Sequence, residues 1–443
     1  MAKRQWIVTL ALSTFFAGSF SSFGPVYSTA HALNTEETPR SNITEDIQSL
    51  SSPDIFEQND SEGSHFEETQ FAVTAATYDP TAFLTLFDKD KIVHNFRSMH
   101  KVFPSRIVRN DLHHVYKFKK ALRKVPNFTY TYNGQARTFK DLLQRTGTTG
   151  LLVLENDKIL IEKYYQGNTP KSLATSWSIS KSITSALIGI AIDEGHIKNV
   201  NDPITDYLPE LKQSGYNGVS IKHILNMASG VKYPNFDNEF MKVWHQELFV
   251  DKKSFNHKMT GLPADTVPSG TFVYKGSDTQ VLGMLLLKVT GKHPSKYLEE
   301  KIWKPLGMES VAKWNTDMHG DDMTFAFLNA TVRDYAKIGR LYLNNGNWNG
   351  KQIVSENWIK ETYIASEGSP FYKYQWWIPM ESNGTEIIAN GIYGQTIYVN
   401  QKENIVLIKT STDTVEEGLE EIVAFREIIR VLKQQPIPTN ESN

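Results

Sequence analysis

From Thr175 to Ile192 the chain holds a stretch that cannot sit on a surface. Apolar residues recur at Ile183, Ala186, Leu187, Ile190 and Ala191, one face of a 3.6-residue period. The other side offers Ser182, Ser185 and Gly189, all small. A helix of this composition is buried nearly all round. The rest of the chain must therefore be organised around it. A turn through Ser176 and Trp177 feeds the helix, and Ser178 and Lys181, three apart, share a face. A serine and a lysine on the first turn of a buried helix are the parts of an acyl-transfer site without histidine.

The N-terminus suggests export. Lys3 and Arg4 precede an apolar run, Trp6 to Phe20, and Ala30-His31-Ala32 offers a small-x-small cleavage site. A signal peptide over 1–32, cleaved after Ala32, is expected, with no stable membrane insertion afterwards. The run is short of the ~20 residues that span a bilayer. Residues 33–77 are acidic and polar without apolar period, and read as a disordered linker. The chain has no cysteine, which excludes disulfides, thiolate metal sites and a cysteine nucleophile. A net charge of −2 over 443 residues points to no nucleic-acid partner.

Residues 78–443 read as one folded domain. Gly150 to Tyr165 holds two β-rich runs about an Asn156-Asp157 turn, the pattern of a hairpin. A mostly helical middle runs from about 202 to 363, with amphipathic stretches at Gln280–Thr290 and Val332–Leu343. Four β-runs follow, near 374–378, 386–389, 396–399 and 405–409, and a last helix over about 415–432. Strands at both ends with helices between predict an α+β fold. Its antiparallel sheet is built from 78–182 and 372–435, with an all-α part inserted at 183–371.

Four serines carry lysine at i+3: Ser98, Ser178, Ser229 and Ser310. Only Ser178 opens a long buried helix, where free N–H groups and the helix dipole favour a developing oxyanion. Burial would lower the Lys181 pKa and let it act as a base. Tyr274 ends an apolar run at a Lys-Gly-Ser-Asp turn and is the candidate proton relay, if neighbouring positive charge depresses its phenol. Asp278 reads as the cap of the next helix. Gly391 and Gly394 flank Ile392 and Tyr393 between two β-runs, allowing close backbone approach and a second oxyanion N–H. Each of these residues alone also fits a purely structural role. No pattern for a metal or phosphate site is present, so neither metal nor cofactor is expected.

Taken together, Ser178-x-x-Lys181, Asp202-Pro203 to Leu211, Met227-Ala228-Ser229-Gly230, Tyr274 with Asp278-Thr279, Asn329 to Ala336, and Gly391 to Gln395 resemble the serine hydrolases of the class C β-lactamase and penicillin-binding-protein superfamily. The likeness is strongest to the 6-aminohexanoate-dimer hydrolase branch. It implies an α/β domain and an all-α domain with the site between them. It implies Ser178 as the acylated nucleophile, Lys181 as the acceptor of its proton, and Tyr274 as the relay to the leaving group. The Ser178 and Ile392 N–H groups would form the oxyanion hole, with Gly394-Gln395 as a competing placement. Gly391, Tyr393 and Tyr233 are the candidate substrate contacts, Tyr233 from the loop 232–237.

Two departures narrow the chemistry. Gly276 stands where β-lactamases of this type carry asparagine, and Ala389-Asn390-Gly391 stands where penicillin-binding relatives carry Lys-Thr-Gly. Esters and linear amides are thus expected as small-molecule substrates. A β-lactamase or D,D-peptidase, and an inactive binding module, remain as alternatives. The sequence does not speak to oligomeric state.

Overall fold

The structure, a computed structural model, describes residues 82–83, 85–233, 247, 251–413 and 418–434. The expected signal peptide, the linker and residues 234–237 of the proposed substrate loop lie outside the described residues.

Among the described residues, eight strands form the main sheet: β1 (Lys119–Lys120), β2 (Gly150–Glu155), β3 (Lys158–Tyr164), β4 (Tyr372–Lys373), β5 (Trp376–Trp377), β6 (Glu386–Gly391), β7 (Gln395–Asn400) and β8 (Ile405–Thr410). Their order across the sheet is β4-β5-β6-β7-β8-β2-β3-β1. Every neighbouring pair is antiparallel except β1 with β3. Strands from the two ends of the chain meet at β8 and β2, where Leu407 faces Val153. The β2–β3 hairpin turns at Asn156 and Asp157, with φ of 47° and 62°. Two left-handed residues are what a tight hairpin requires, and short polar side chains tolerate them.

Helices cover both faces of the sheet. Leu152, Leu154, Ile387, Ala389, Val406 and Ile408 point to one core. Leu151, Val153, Ile388, Tyr398 and Leu407 alternate onto the other. The first core is closed by α1 (Ile179–Asp193), α2 (Gly276–Thr290) and α3 (Val332–Leu343). The second is closed by α4 (Leu419–Gln434) with the short helix Phe139–Arg145.

The helix α1 is buried from Ile179 through Ala191. Its small-residue side is filled: the Trp358 ring lies on Gly189, 2.7 Å from where a Cβ would stand. Ser182 donates to the Gln375 carbonyl at 2.6 Å.

The structure departs from the expected layout at two places. The middle of the chain is not simply helical. Ala312–Asn315 and Leu328–Ala330 join Ser105–Val108 and Ala174–Thr175 in a second antiparallel sheet. Strands of two to four residues carry too few alternations to be read from periodicity. The helix α3, assigned by sequence to the all-α insertion, packs on the main sheet instead, with Gly339 against Val406. Among the described residues no helix is long and apolar enough to cross a membrane.

Candidate active site

The turn before α1 is held tightly. Ser176 N–H donates to the Leu328 carbonyl at 2.7 Å, and the Leu328 N–H donates back to the Ser176 and Ser180 hydroxyls at 3.0 and 3.1 Å. Trp177 takes a left-handed conformation, φ 44°, rare for a bulky residue and a mark of stored strain. Its ring is locked by Phe327 at 5.1 Å and Phe96 at 5.5 Å. The turn delivers Ser178 as the N-terminal cap of α1.

Lys181 lies one turn on, 4% exposed. Its Nζ donates to Ser178 Oγ at 2.8 Å and to the Phe325 carbonyl at 2.6 Å. Burial pulls its pKa from 10.5 to about 7. A neutral amine has one lone pair and two N–H groups. With an N–H on the Phe325 carbonyl, the lone pair can face the Ser178 hydroxyl. The same carbonyl steadies the ammonium formed once the proton has moved.

Tyr274 completes the group. Its ring lies 5.2 Å from Lys181 Nζ, and its phenol is close enough to feel the Ser178 side chain. The expected depression of its pKa does not occur. Burial raises it, and the neighbouring Ser178 side chain offsets this only in part. The resting phenol therefore holds its proton, and Lys181 is the more readily available base. The neighbouring Lys275 turns away from the site, donating to the Val231 carbonyl and lying 3.5 Å from Ser229 Oγ.

Asp278 is not the cap of α2. Lys275 occupies the cap position without a side-chain bond. The Asp278 carboxylate is taken by the Ser229 hydroxyl at 2.7 Å and the Tyr216 phenol at 2.9 Å, and burial raises its pKa to about 6. Ser229, one of the four Ser-x-x-Lys serines, is thereby committed to a structural bond.

The end of β6 meets the nucleophile. A Cβ on Gly391 would overlap the Ser176 carbonyl and come within 3.1 Å of the Ser178 nitrogen. Only glycine lets this strand approach so closely. Ile392 is the next residue. Gly394 lies elsewhere, against Lys409, Asp413 and Glu421. Tyr393 takes φ 63° and turns into an aromatic cluster, 5.2 Å from Phe87 and 5.1 Å from Phe96. With its ring enclosed there at 7% exposure, it is poorly placed for the substrate contact expected of it. Tyr233 is partly buried, packed between two of the cores.

The sequence reading missed Phe325. Its contribution is a backbone carbonyl on a turn, and no side-chain motif signals that. The turn is fixed by Trp314 Nε1, which donates at 3.0 Å to the carbonyls of both Met323 and Ala326. The Phe325 ring fills the space beside Gly276, 3.4 Å from where a Cβ would stand.

Residues 136–428 match the family model described as Beta-lactamase. The 6-aminohexanoate-dimer hydrolase of Paenarthrobacter ureafaciens is 28% identical over 296 residues, 61% of this chain and 74% of the relative. A teichoic acid D-alanine hydrolase of Staphylococcus aureus is 24% identical over 318 residues, 62% and 74% of the two chains. Among solved structures, a candidate 6-aminohexanoate-dimer hydrolase of Bacillus anthracis superposes with a TM-score of 0.72 at 24% identity, covering 83% of this chain and all of its own. A family VIII carboxylesterase reaches 0.52 at 16% identity, covering 65% and 94%. With its α+β fold, and with serine, lysine and tyrosine gathered at the head of one buried helix, the chain belongs to the β-lactamase family and is a serine hydrolase.

Proposed function

We propose that the chain is an exported hydrolase of esters and linear amides that works through a Ser178 acyl-enzyme. The observation that carries this reading is the hydrogen bond from a buried Lys181, its pKa near 7, to Ser178 Oγ. Ser178 Oγ attacks the substrate carbonyl carbon and Lys181 Nζ takes the hydroxyl proton. The oxyanion that forms is met by the N–H groups of Ser178 and Ile392 at the junction of α1 and β6. As the intermediate collapses, the Tyr274 phenol gives its proton to the departing oxygen or nitrogen and recovers one from Lys181. Water then attacks the acyl carbon, passing a proton back through the same pair, and the acid leaves with Ser178 restored. Export rests on the basic and apolar start of the chain and on Ala30-His31-Ala32.

Ester and amide substrates are favoured over β-lactams by the groups around this core. Gly276 provides no side-chain amide where β-lactamases of this type carry asparagine, and Ala389 provides no cation where penicillin-binding relatives carry lysine. The family match keeps β-lactamase or D,D-peptidase activity as the second reading. Ser178→Ala is expected to abolish turnover of p-nitrophenyl butyrate while the circular dichroism of the folded protein is retained. Retained turnover in that variant overturns the mechanism. Faster hydrolysis of a chromogenic cephalosporin than of the ester would favour the second reading.

A further inference from the structure

Two residues of the site hold a backbone conformation that bulky side chains avoid, and they stand on either side of the proposed oxyanion hole. Trp177, φ 44°, precedes Ser178, and Tyr393, φ 63°, follows Ile392. The Ser178 N–H lies in the peptide plane shared with Trp177, so the rotation of Trp177 aims that donor. Ile392 is bracketed by Tyr393 and by Gly391, whose backbone lies against the Ser176 carbonyl and the Ser178 nitrogen. Strained conformations of this kind persist only where the surroundings over-determine them.

The surroundings here include the segment that leads into the domain. Phe87 and Phe96 lie upstream of residues 136–428, which match the family model. Phe87 stacks on both strained residues, 6.0 Å from Trp177 and 5.2 Å from Tyr393, at interplanar angles of 20° and 19°. Phe96 meets the same two rings edge-on, 5.5 and 5.1 Å away. Trp177 and Tyr393 lie 5.8 Å from each other, and Phe87 and Phe96 6.5 Å. Each of the four rings thus contacts the other three, at separations where aromatic pairs attract. The segment is itself pinned. The buried Asn95 donates its Nδ2 to the Thr85 and Leu86 carbonyls at 2.8 and 3.3 Å, fixing the turn of Phe87 against the short helix Ile92–Arg97 that carries Phe96. Arg97 donates to the Gly167 carbonyl at 2.8 Å.

We propose that Phe87 and Phe96 are positioning residues for catalysis: they clamp Trp177 to Tyr393 and so hold the Ser178 and Ile392 N–H groups aimed at one point. The proposal rests on the serine hydrolase reading above, with those two groups as the oxyanion donors. The phenylalanines act through their neighbours and not on the substrate. Their effect is preorganisation: donors fixed beforehand need no reorientation when charge develops on the carbonyl oxygen. Without the clamp the two strained residues relax, and the donors no longer converge on one oxygen.

The test compares p-nitrophenyl butyrate with its thionoester, in which sulfur replaces the carbonyl oxygen. Sulfur is the weaker hydrogen-bond acceptor and sits farther from carbon, so donors set for oxygen favour the ester. Phe87→Ala is expected to lower kcat/KM for the ester on the order of tenfold and to narrow the ester-to-thionoester ratio by a similar factor. The ratio does not depend on the fraction of protein that is folded, so a merely structural loss leaves it unchanged. Phe87→Leu keeps apolar bulk without a ring face. It should move the ratio in the same direction, and it serves if the alanine variant does not fold. A ratio that stays at the parent's value in the folded variants overturns the clamp. Failure of the underlying reading looks different: the parent itself then shows no preference for the ester over the thionoester, or its turnover survives Ser178→Ala.

Discussion

At the scale of single residues, the site depends on one lysine kept out of water. Burial brings the Lys181 pKa to about 7, whereas an unfolded lysine stays near 10.5. The active base is the neutral amine, so kcat/KM for an ester is expected to rise with pH through about 7. Lys181→Ala should lose on the order of 10²–10⁴-fold in kcat and lose that limb of the profile. The same shift acts on stability. Between about pH 7 and 10.5 the unfolded chain binds a proton at this lysine that the folded chain does not, so folding gains stability as pH rises through that window. Urea titrations of the parent against Lys181→Met at pH 7 and 9.5 should show the gain in the parent alone. Tyr274 makes a separate prediction. Its phenol is pushed up and keeps its proton, as suits a donor to a leaving group. Tyr274→Phe should therefore slow an alkyl ester far more than a p-nitrophenyl ester, whose leaving group needs no proton. Equal losses on both would assign the phenol another role.

At the scale of elements, α1 and β6 are fitted to one another through missing side chains. Gly189 lets Trp358 lie flat on α1, and Gly391 lets β6 reach the Ser178 nitrogen. Gly189→Ala drives a methyl into the indole ring, and is expected to destabilise by about 1–3 kcal/mol with kcat little changed in the folded fraction. Gly391→Ala is expected to do the reverse. Its clash falls on the Ser176 carbonyl and the Ser178 nitrogen, so kcat should fall more than the unfolding midpoint does. Activity and thermal melts measured on the same two variants separate these outcomes. At this scale much was legible beforehand. The buried character of α1, the β2–β3 hairpin and the runs of β6, β7 and β8 all follow from periodicity in segments long enough to show it. The strands 312–315 and 328–330 did not, because three or four residues hold no period. Asp278 looked like a cap because caps are local, yet Ser229 and Tyr216 claimed it from other parts of the chain.

At the scale of the whole molecule, the two ends of the domain are joined behind the site. Glu420, at the start of α4, accepts from Tyr130 at 2.5 Å, Arg137 at 2.6 Å and Arg145 at 2.7 Å. Burial alone would raise its pKa, but those three hydrogen bonds hold it below the ordinary carboxylate value. A depressed carboxylate contributes stability that is present above about pH 4.5 and lost as pH falls through its folded pKa. Glu420→Gln should therefore cost about 1–3 kcal/mol at pH 7 and flatten the acid side of the stability profile. Urea midpoints between pH 3 and 7 check both.

What the sequence determined alone is the centre of the fold and its chemistry. An all-round buried helix headed by Ser178 and Lys181 needs enclosure, and the residues on its first turn are chemical types that share a face by spacing. What only the tertiary structure decided is which distant groups arrive there. Tyr274 and Gly391 were nameable as candidates, but their meeting at Ser178 depends on packing between segments far apart in the chain. The Phe325 carbonyl could not be named at all, because every residue has one. Its position comes from a turn fixed by Trp314, and backbone placement of that kind exists only once the chain is folded.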